Sequence, residues 1–219
     1  MRQRGWRLAI KRSVDVVGAA GALLAFAPVA GLGALAVRCS MGSPTLFKQQ
    51  RPGRDGRPFV LFKFRTMLDT VDRDGKPLSD AARLTKTGAL LRSLSLDELP
   101  QLWNVLRGEM SLVGPRPLLM QYLSRYTPRQ ARRNEVLPGI TGWAQVHGRN
   151  ALSHEQKFEL DVWYVENWSL RVDAQVLWLT LSTLLRRSGI AAPQHATMPE
   201  FTGSSGGPQP HTVTLEAHG

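Results

Sequence analysis

A chain of 219 residues carries 28 lysines and arginines against 17 aspartates and glutamates, a formal charge of +11. That balance suits an anionic partner (nucleic acid, lipid headgroups or a phosphorylated substrate) without choosing among them, and the length supports one substantial core. The single Cys39 excludes an internal disulfide and a Cys-rich metal site, and the five histidines show no zinc-ligand spacing.

Residues 16–37 carry no charge and are rich in Ala, Gly, Leu and Val. Wholly helical, they would extend about 33 Å at ~1.5 Å per residue, enough to cross a bilayer. Pro28 falls mid-run, and basic residues flank both ends: Arg2, Arg4, Arg7, Lys11 and Arg12 before, Arg38, Lys48 and Arg51 after. Because positive flanks favour the cytoplasmic side, the expectation is a re-entrant helix-break-helix that enters the inner leaflet, bends at Pro28 and returns. A bitopic span kinked at Pro28 competes with it, as does a signal peptide ending near Ala34-Leu35-Ala36, although Asp15 and the length of the run fit a leader poorly. A buried soluble helix would need a polar face that this stretch lacks.

From residue 45 to 67 short apolar runs surround R-P-G-R-D-G-R-P, which reads as a β-hairpin. Alternation through Phe62, Lys63, Phe64 and Arg65 places both cations on one face, as a solvated edge or as a phosphate-facing strand. Residues 68–84 read mostly as loop.

Residues 95–117, S-L-D-E-L-P-Q-L-W-N-V-L-R-G-E-M-S-L-V-G-P-R-P, open with adjacent carboxylates and end on a Pro-bracketed arginine. Asp97 reads as a helix N-cap, Pro100 as a first-turn residue and Gly108 as the stop, with Leu99, Leu102, Trp103 and Leu106 as the core-facing stripe. An acidic first turn is ordinary in a capped helix. The same geometry suits phosphate chemistry, with Arg116 supplying a planar fork for phosphoryl oxygens.

Residues 137–150 are too Gly-rich for a helix and read as a shaped loop, in which Trp143 offers a stacking face and Arg149 a cation for a nucleotide. A helix follows over 153–167. Asp173 then caps an apolar stretch closed by Arg186 and Arg187, which suits a membrane-surface helix and a core helix equally. Beyond residue 190 Pro, Gly, Ser and His accumulate, and residues 203–219 are expected to be disordered.

Taken together, Lys11-Arg12, Lys63-Phe64-Arg65-Thr66, S-L-D-E-L-P-Q-L at 95–102, S-L-V-G-P-R-P at 111–117 and P-G-I-T-G-W-A-Q-V at 138–146 resemble the bacterial sugar transferases. These are monotopic polyprenyl-phosphate phosphoglycosyl transferases, here in their minimal single-domain form. The downstream F-E-L-D-V-W-Y-V-E-N and R-R-S-G, with His195, Thr197, Phe201 and Gly203, are most similar to the branch serving bacterial N-glycosylation. That branch uses UDP-linked N-acetylated sugars such as UDP-N,N'-diacetylbacillosamine.

The resemblance implies an α+β, mostly helical monotopic protein: a re-entrant membrane helix over 1–40, a cytoplasmic catalytic domain over 41–189 with a short β-hairpin and interfacial amphipathic helices, and a tail over 190–219. It implies Asp97 as the nucleophile that takes phospho-sugar from a UDP-sugar, with release of UMP and transfer to undecaprenyl phosphate, in the first membrane step of glycoconjugate assembly. Glu98 completes the family dyad, and Lys63, Arg65, Arg92 and Arg116 match cations near the phosphates. Arg149 matches the nucleotide-associated arginine. Mg2+, held at Asp97, is the implied cofactor, and the cytoplasmic face of the bacterial inner membrane the implied location. Lys11, Arg12 and Pro28 would meet the membrane and its anionic lipids. A homodimer is compatible, and nucleic acid is not an expected partner. The alternatives are the same chemistry with a UDP- or TDP-hexose for capsule or exopolysaccharide, and a membrane-tethered basic binding protein without activity. Two positions depart from the family pattern: Ala27 stands where Ser commonly precedes the proline, and His147 replaces Asn in V-N-G-R.

Overall fold

The computed structural model describes residues 5–148, 152–186 and 201–203, so Arg149 and most of the expected tail lie outside the described residues. The fold is α+β and mostly helical, with two two-stranded sheets among the described residues.

Helix α1 (Trp6–Met41) is one continuous α-helix with Pro28 inside it, so the expected helix break is not a break in secondary structure. A proline removes one backbone donor and crowds the preceding turn, and here the flanking turns carry the helix through. Lys11, Asp15 and Ala19 are buried before the proline, and Gly33, Val37 and Met41 after it, whereas every residue from 24 to 29 is exposed. Both flanks therefore seat on the rest of the chain at helical spacing, while the stretch around Pro28 is left exposed.

The hairpin forms as its alternation requires. Strands β1 (Leu46–Pro52) and β2 (Pro58–Phe64) pair antiparallel from Leu46↔Phe64 to Pro52↔Pro58, closed by a 3-10 turn at Arg54–Gly56. Residues 68–84 are loop apart from the single turn α2 (Asp80–Arg83). Helix α3 (Lys86–Ser93) starts at Thr85, whose hydroxyl accepts from Gly88 N–H at 2.9 Å.

After α3 the chain departs from expectation. Ser95 adopts the left-handed region (φ 56°) and turns the backbone into a 3-10 turn, Leu96–Glu98, before α4 (Gln101–Leu106). Asp97 is thus not an N-cap. Pro100, which lacks an N–H to satisfy, occupies that position of α4. The offset also rotates the buried stripe: Gln101, Leu102, Asn104 and Val105 face inward, and Trp103 is left 53 % exposed. Asn104 locks α4 to β2 by accepting from Phe62 N–H at 3.2 Å and donating to Val60 O at 2.7 Å. Gly108 ends the helix with φ 80°, as its position in the sequence implies.

Strand β3 (Ser111–Val113) pairs in parallel with β4 (Gly139–Thr141). Gly114, Gly139 and Gly142 let these two backbones touch, since a Cβ on any of them would collide with main-chain atoms of the other segment. The stretch expected as pure loop therefore contains β4 and the turn α6 (Trp143–Val146). Between β3 and β4 lies α5 (Pro128–Ala131), which opens with a capping box of Thr127 and Gln130.

Helix α7 (His154–Asn167) carries a second capping box, of Ser153 and Gln156. Helix α8 (Leu170–Arg186) follows at once. Asp173 does not cap it; Ser169 accepts from Val172 N–H, and Asp173 is buried one turn in. The main core joins Val113, Val136, Trp143, Tyr164, Val165, Trp168 and Val176. On its outer side α8 exposes Leu177, Trp178 and Leu181, so it is not packed all round.

Candidate active site

The turn Leu96–Glu98 presents two neighbouring carboxylates with different surroundings. Glu98 is gripped from two directions. Lys63 Nζ reaches it from the end of β2 at 2.7 Å, and Arg116, just beyond β3, reaches it with Nη2 on Oε1 at 2.5 Å and Nη1 on Oε2 at 3.4 Å. Burial alone would raise the Glu98 carboxyl, but the charges and hydrogen bonds of Arg116 and Lys63 outweigh it and hold the group far below the ordinary carboxylate range. The Arg116 guanidinium is stabilised by Glu98, while burial draws the Lys63 ammonium down.

Asp97 is buried and takes no hydrogen bond or ion pair among the described residues. Burial and the adjacent Glu98 charge push its carboxyl up, against the lowering pull of Lys63, Arg92 and Arg116. The site thus separates two carboxylates by environment. One is paired and its charge favoured by two cations, and the other is desolvated and unpaired among the described residues. Desolvation strips an oxygen nucleophile of the water that would blunt it.

Of the cations singled out in the sequence, Lys63 and Arg116 meet at Glu98. Arg92 comes from the last turn of α3 and donates from Nε to Thr66 Oγ1 at 3.0 Å, close enough to act on Asp97. Arg65 does not join them. Lying just past β2, it turns back to Met67 O at 3.1 Å, Met41 O at 3.3 Å and Asp69 at 2.7 Å, where it fastens the end of α1. Trp143 offers no free face, because it stacks on Trp163 with centroids 4.3 Å apart and carries His147 on it at 3.9 Å. His147 Nδ1 lies 2.9 Å from Trp143 O, so the residue that departs from the family pattern still makes a local structural bond.

Lys11 and Arg12 also differ from their expected place at the membrane. Lys11 is buried and bonds Asp173 Oδ2 at 2.7 Å and Val113 O at 3.1 Å, while Arg12 donates to Val105 O at 2.6 Å and Leu106 O at 2.9 Å. Their heads turn inward because carboxylate and carbonyl acceptors on α8, β3 and α4 lie within reach of this side of α1.

Arg51 enters the site unannounced by any motif. It is fixed by Gln49 Oε1 at 2.6 Å and lies 3.4 Å from Pro117 O; burial and the nearby Arg116 charge lower it to about 10. The one sequence signal was Gln49 and Arg51 sharing a strand face. Among the described residues no three His, Cys, Asp or Glu side chains cluster as a metal cage. The hard oxygens of Asp97 nevertheless suit an ion that takes one or two protein carboxylates and completes its shell with phosphate and water.

A buried carboxylate thus lies beside Lys63, Arg92 and Arg116, in a chain whose 36-residue first helix carries an uncharged run from 16 to 37. The chain belongs to the bacterial sugar transferase family, whose profile matches residues 6–187. It is 56 % identical over 195 residues to a Bacillus subtilis (strain 168) protein called uncharacterized sugar transferase EpsL, covering 89 % of this chain and 96 % of that one. It is 42 % identical over 187 residues to the UDP-glucose:undecaprenyl-phosphate glucose-1-phosphate transferase of Caulobacter vibrioides, 80 % of this chain and 69 % of that protein. It is 41 % identical over 198 residues to the UDP-galactose-lipid carrier transferase of Erwinia amylovora, 82 % of this chain and 41 % of that longer protein.

Proposed function

We propose that this chain transfers a sugar 1-phosphate from a UDP-sugar to undecaprenyl phosphate, with UMP as the leaving product, through a covalent aspartyl intermediate at Asp97. The observation that carries this reading is the contrast within the dyad, where Glu98 is neutralised by Lys63 and Arg116 while Asp97 stays uncommitted among the described residues. An Asp97 oxygen attacks the sugar-bearing phosphorus, the bond to the bridging oxygen breaks, and UMP departs with the electron pair. An oxygen of undecaprenyl phosphate then attacks the same phosphorus and returns the Asp97 carboxylate. Splitting one transfer into two is a recognised use of a carboxylate nucleophile.

Arg116, Lys63 and Arg92 set the local balance at three cations to two carboxylates, which favours approach of a diphosphate to an anionic nucleophile. Mg2+ held at Asp97 and on the phosphates would supply further charge neutralisation. For the donor sugar, relatives named for glucose, galactose and N-acetylgalactosamine transfer put hexoses beside the N-acetylated sugars expected from the resemblance.

The same reading places the protein on the cytoplasmic face of the inner membrane, with the exposed stretch of α1 around Pro28 dipping into one leaflet and the apolar side of α8 resting on its surface. Exposure of every residue from 24 to 29, between two flanks seated on one domain, supports an arch rather than a span. The test is UMP release from a panel of UDP-hexoses and UDP-N-acetylated sugars, with undecaprenyl phosphate and Mg2+. Release dependent on both substrates supports the assignment, and silence across the panel removes it.

A further inference from the structure

We infer that one turn of α1, carrying Lys11, Arg12 and Asp15, is a positioning clamp that holds the two segments bearing Glu98 and Arg116 in register with each other. Each of these three side chains reaches out of its own helix. Arg12 donates to the carbonyls of Val105 and Leu106 in the last turn of α4, the helix that follows the dyad. Asp15 is buried and accepts from Leu112 N–H and Ser111 Oγ, both at 3.0 Å, and Lys11 donates to Val113 O at 3.1 Å. These are the residues of β3, which runs directly into Gly114, Pro115 and Arg116.

Strand β3 needs such help. It is three residues long, its one sheet neighbour is equally short, and a two-stranded ladder of that size is marginal alone. The clamp is itself braced, because Asp173 accepts from Lys11 at 2.7 Å, from Tyr164 Oη at 2.7 Å and from Trp168 Nε1 at 3.1 Å, while Tyr164 Oη also lies 3.1 Å from Val113 O. The ion pair between Glu98 and Arg116 therefore closes a loop of contacts that passes through α1. Seating of the apolar helix and geometry of the site become one event, which gives the basic residues before the apolar run a role besides orientation in the membrane.

The test rests on the phosphoglycosyl reading for its kinetic arm and has a second arm that does not. In full-length protein in lipid nanodiscs, Asp15→Ala removes the acceptor for Leu112 N–H, while Asp15→Asn keeps an oxygen there. Misplacing Arg116 should slow covalent labelling by radiolabelled UDP-sugar on the order of ten- to a hundredfold. Asp15→Asn should recover most of that rate. Independently of activity, amide exchange across residues 111–117 should accelerate in Asp15→Ala and not in Asp15→Asn. If Asp15→Ala does not fold, Arg12→Gln, with Arg12→Lys as its conservative counterpart, is read in the same way over residues 95–107. Unchanged exchange in those segments, or slowed labelling with no recovery by the conservative variant, overturns the clamp. Failure of the wild type to label while the exchange pattern appears as expected overturns the reaction assignment instead.

Discussion

The Arg116 guanidinium meets the Glu98 carboxylate at 2.5 Å across a gap of 18 positions in sequence, tying the loop after β3 to the turn before α4. A fork on a carboxylate fixes orientation as well as charge, and the same cation lies near enough to Asp97 to lower its carboxyl. Arg116→Lys keeps the charge and loses the fork. The expected result is a fall in kcat of about a hundredfold, the scale of losing one oriented charge stabiliser, with little change in thermal midpoint. Steady-state UMP release checks it, and a loss under threefold would mean that charge alone suffices.

The two carboxylates give opposite dependences on pH. Asp97 is raised in the folded state, so its contribution favours folding below the ordinary aspartate value and is lost as pH climbs through the raised one. Glu98 is depressed, so its contribution is present above the ordinary glutamate value and disappears only as pH falls toward its folded one. The proposed covalent route requires ionised Asp97. The labelling rate should therefore show an acid limb above the usual aspartate range, with no second limb from Glu98 at accessible pH. A limb at or below about 4, the unperturbed aspartate value, would contradict this picture.

Asn104 has no bulk to recommend it as a core residue, yet it is buried between α4 and β2, and it also donates to Glu109 at 2.7 Å. Asn104→Ala leaves Val60 O and Phe62 N–H without that partner at the part-buried seam between α4 and β2. The expected loss is about 2 kcal/mol of stability, from unsatisfied backbone groups more than from lost volume. Chemical denaturation in detergent micelles measures it.

What the sequence made legible followed from local periodicity and local chemistry. The hairpin could be read because apolar alternation and a Gly/Pro/Asp turn sit side by side, and α7 because Phe158, Val162, Trp163 and Val165 recur among charges. Lys63, Arg116 and the dyad were legible as motifs. The inward turn of Lys11 toward Asp173, by contrast, joins residues 162 positions apart, and no short-range pattern announces such a contact. Asp97 reads as a cap in any window of sequence. It is displaced from that place by the left-handed conformation of Ser95, which a serine does not advertise. Trp143 reads as an open stacking platform because its partner Trp163 lies on another helix.

Topology follows from the seat of α1. Both of its flanks pack on the same body, so residues 7 and 45 should face the same side of the membrane. With Cys39 replaced by Ser, single cysteines in Arg7→Cys and Thr45→Cys should both be modified from the cytoplasmic side by an impermeant thiol reagent. Labelling of the two from opposite sides would establish a bitopic span. Pro28→Leu restores a continuous donor pattern and should move part of the population toward that state.

The sharpest separation of nucleophile from structural residue comes from Asp97→Asn. The wild-type carboxylate makes no described hydrogen bond and no capping contact, and its burial disfavours the charge it carries. A neutral amide of the same shape should therefore be accepted without disorder, changing stability by less than about 1 kcal/mol. Its insertion and helix content should match the wild type. Chemistry should stop, because an amide oxygen cannot form and release the acyl phosphate as a carboxylate does. Rapid-quench labelling with radiolabelled UDP-sugar should trap phospho-sugar on the wild type and none on the variant, and UMP release should fall to background. Near-normal turnover by Asp97→Asn, or a wild type that turns over without ever carrying label, would sink the covalent route and leave Asp97 as a buried carboxylate whose task is to shape the field around Glu98.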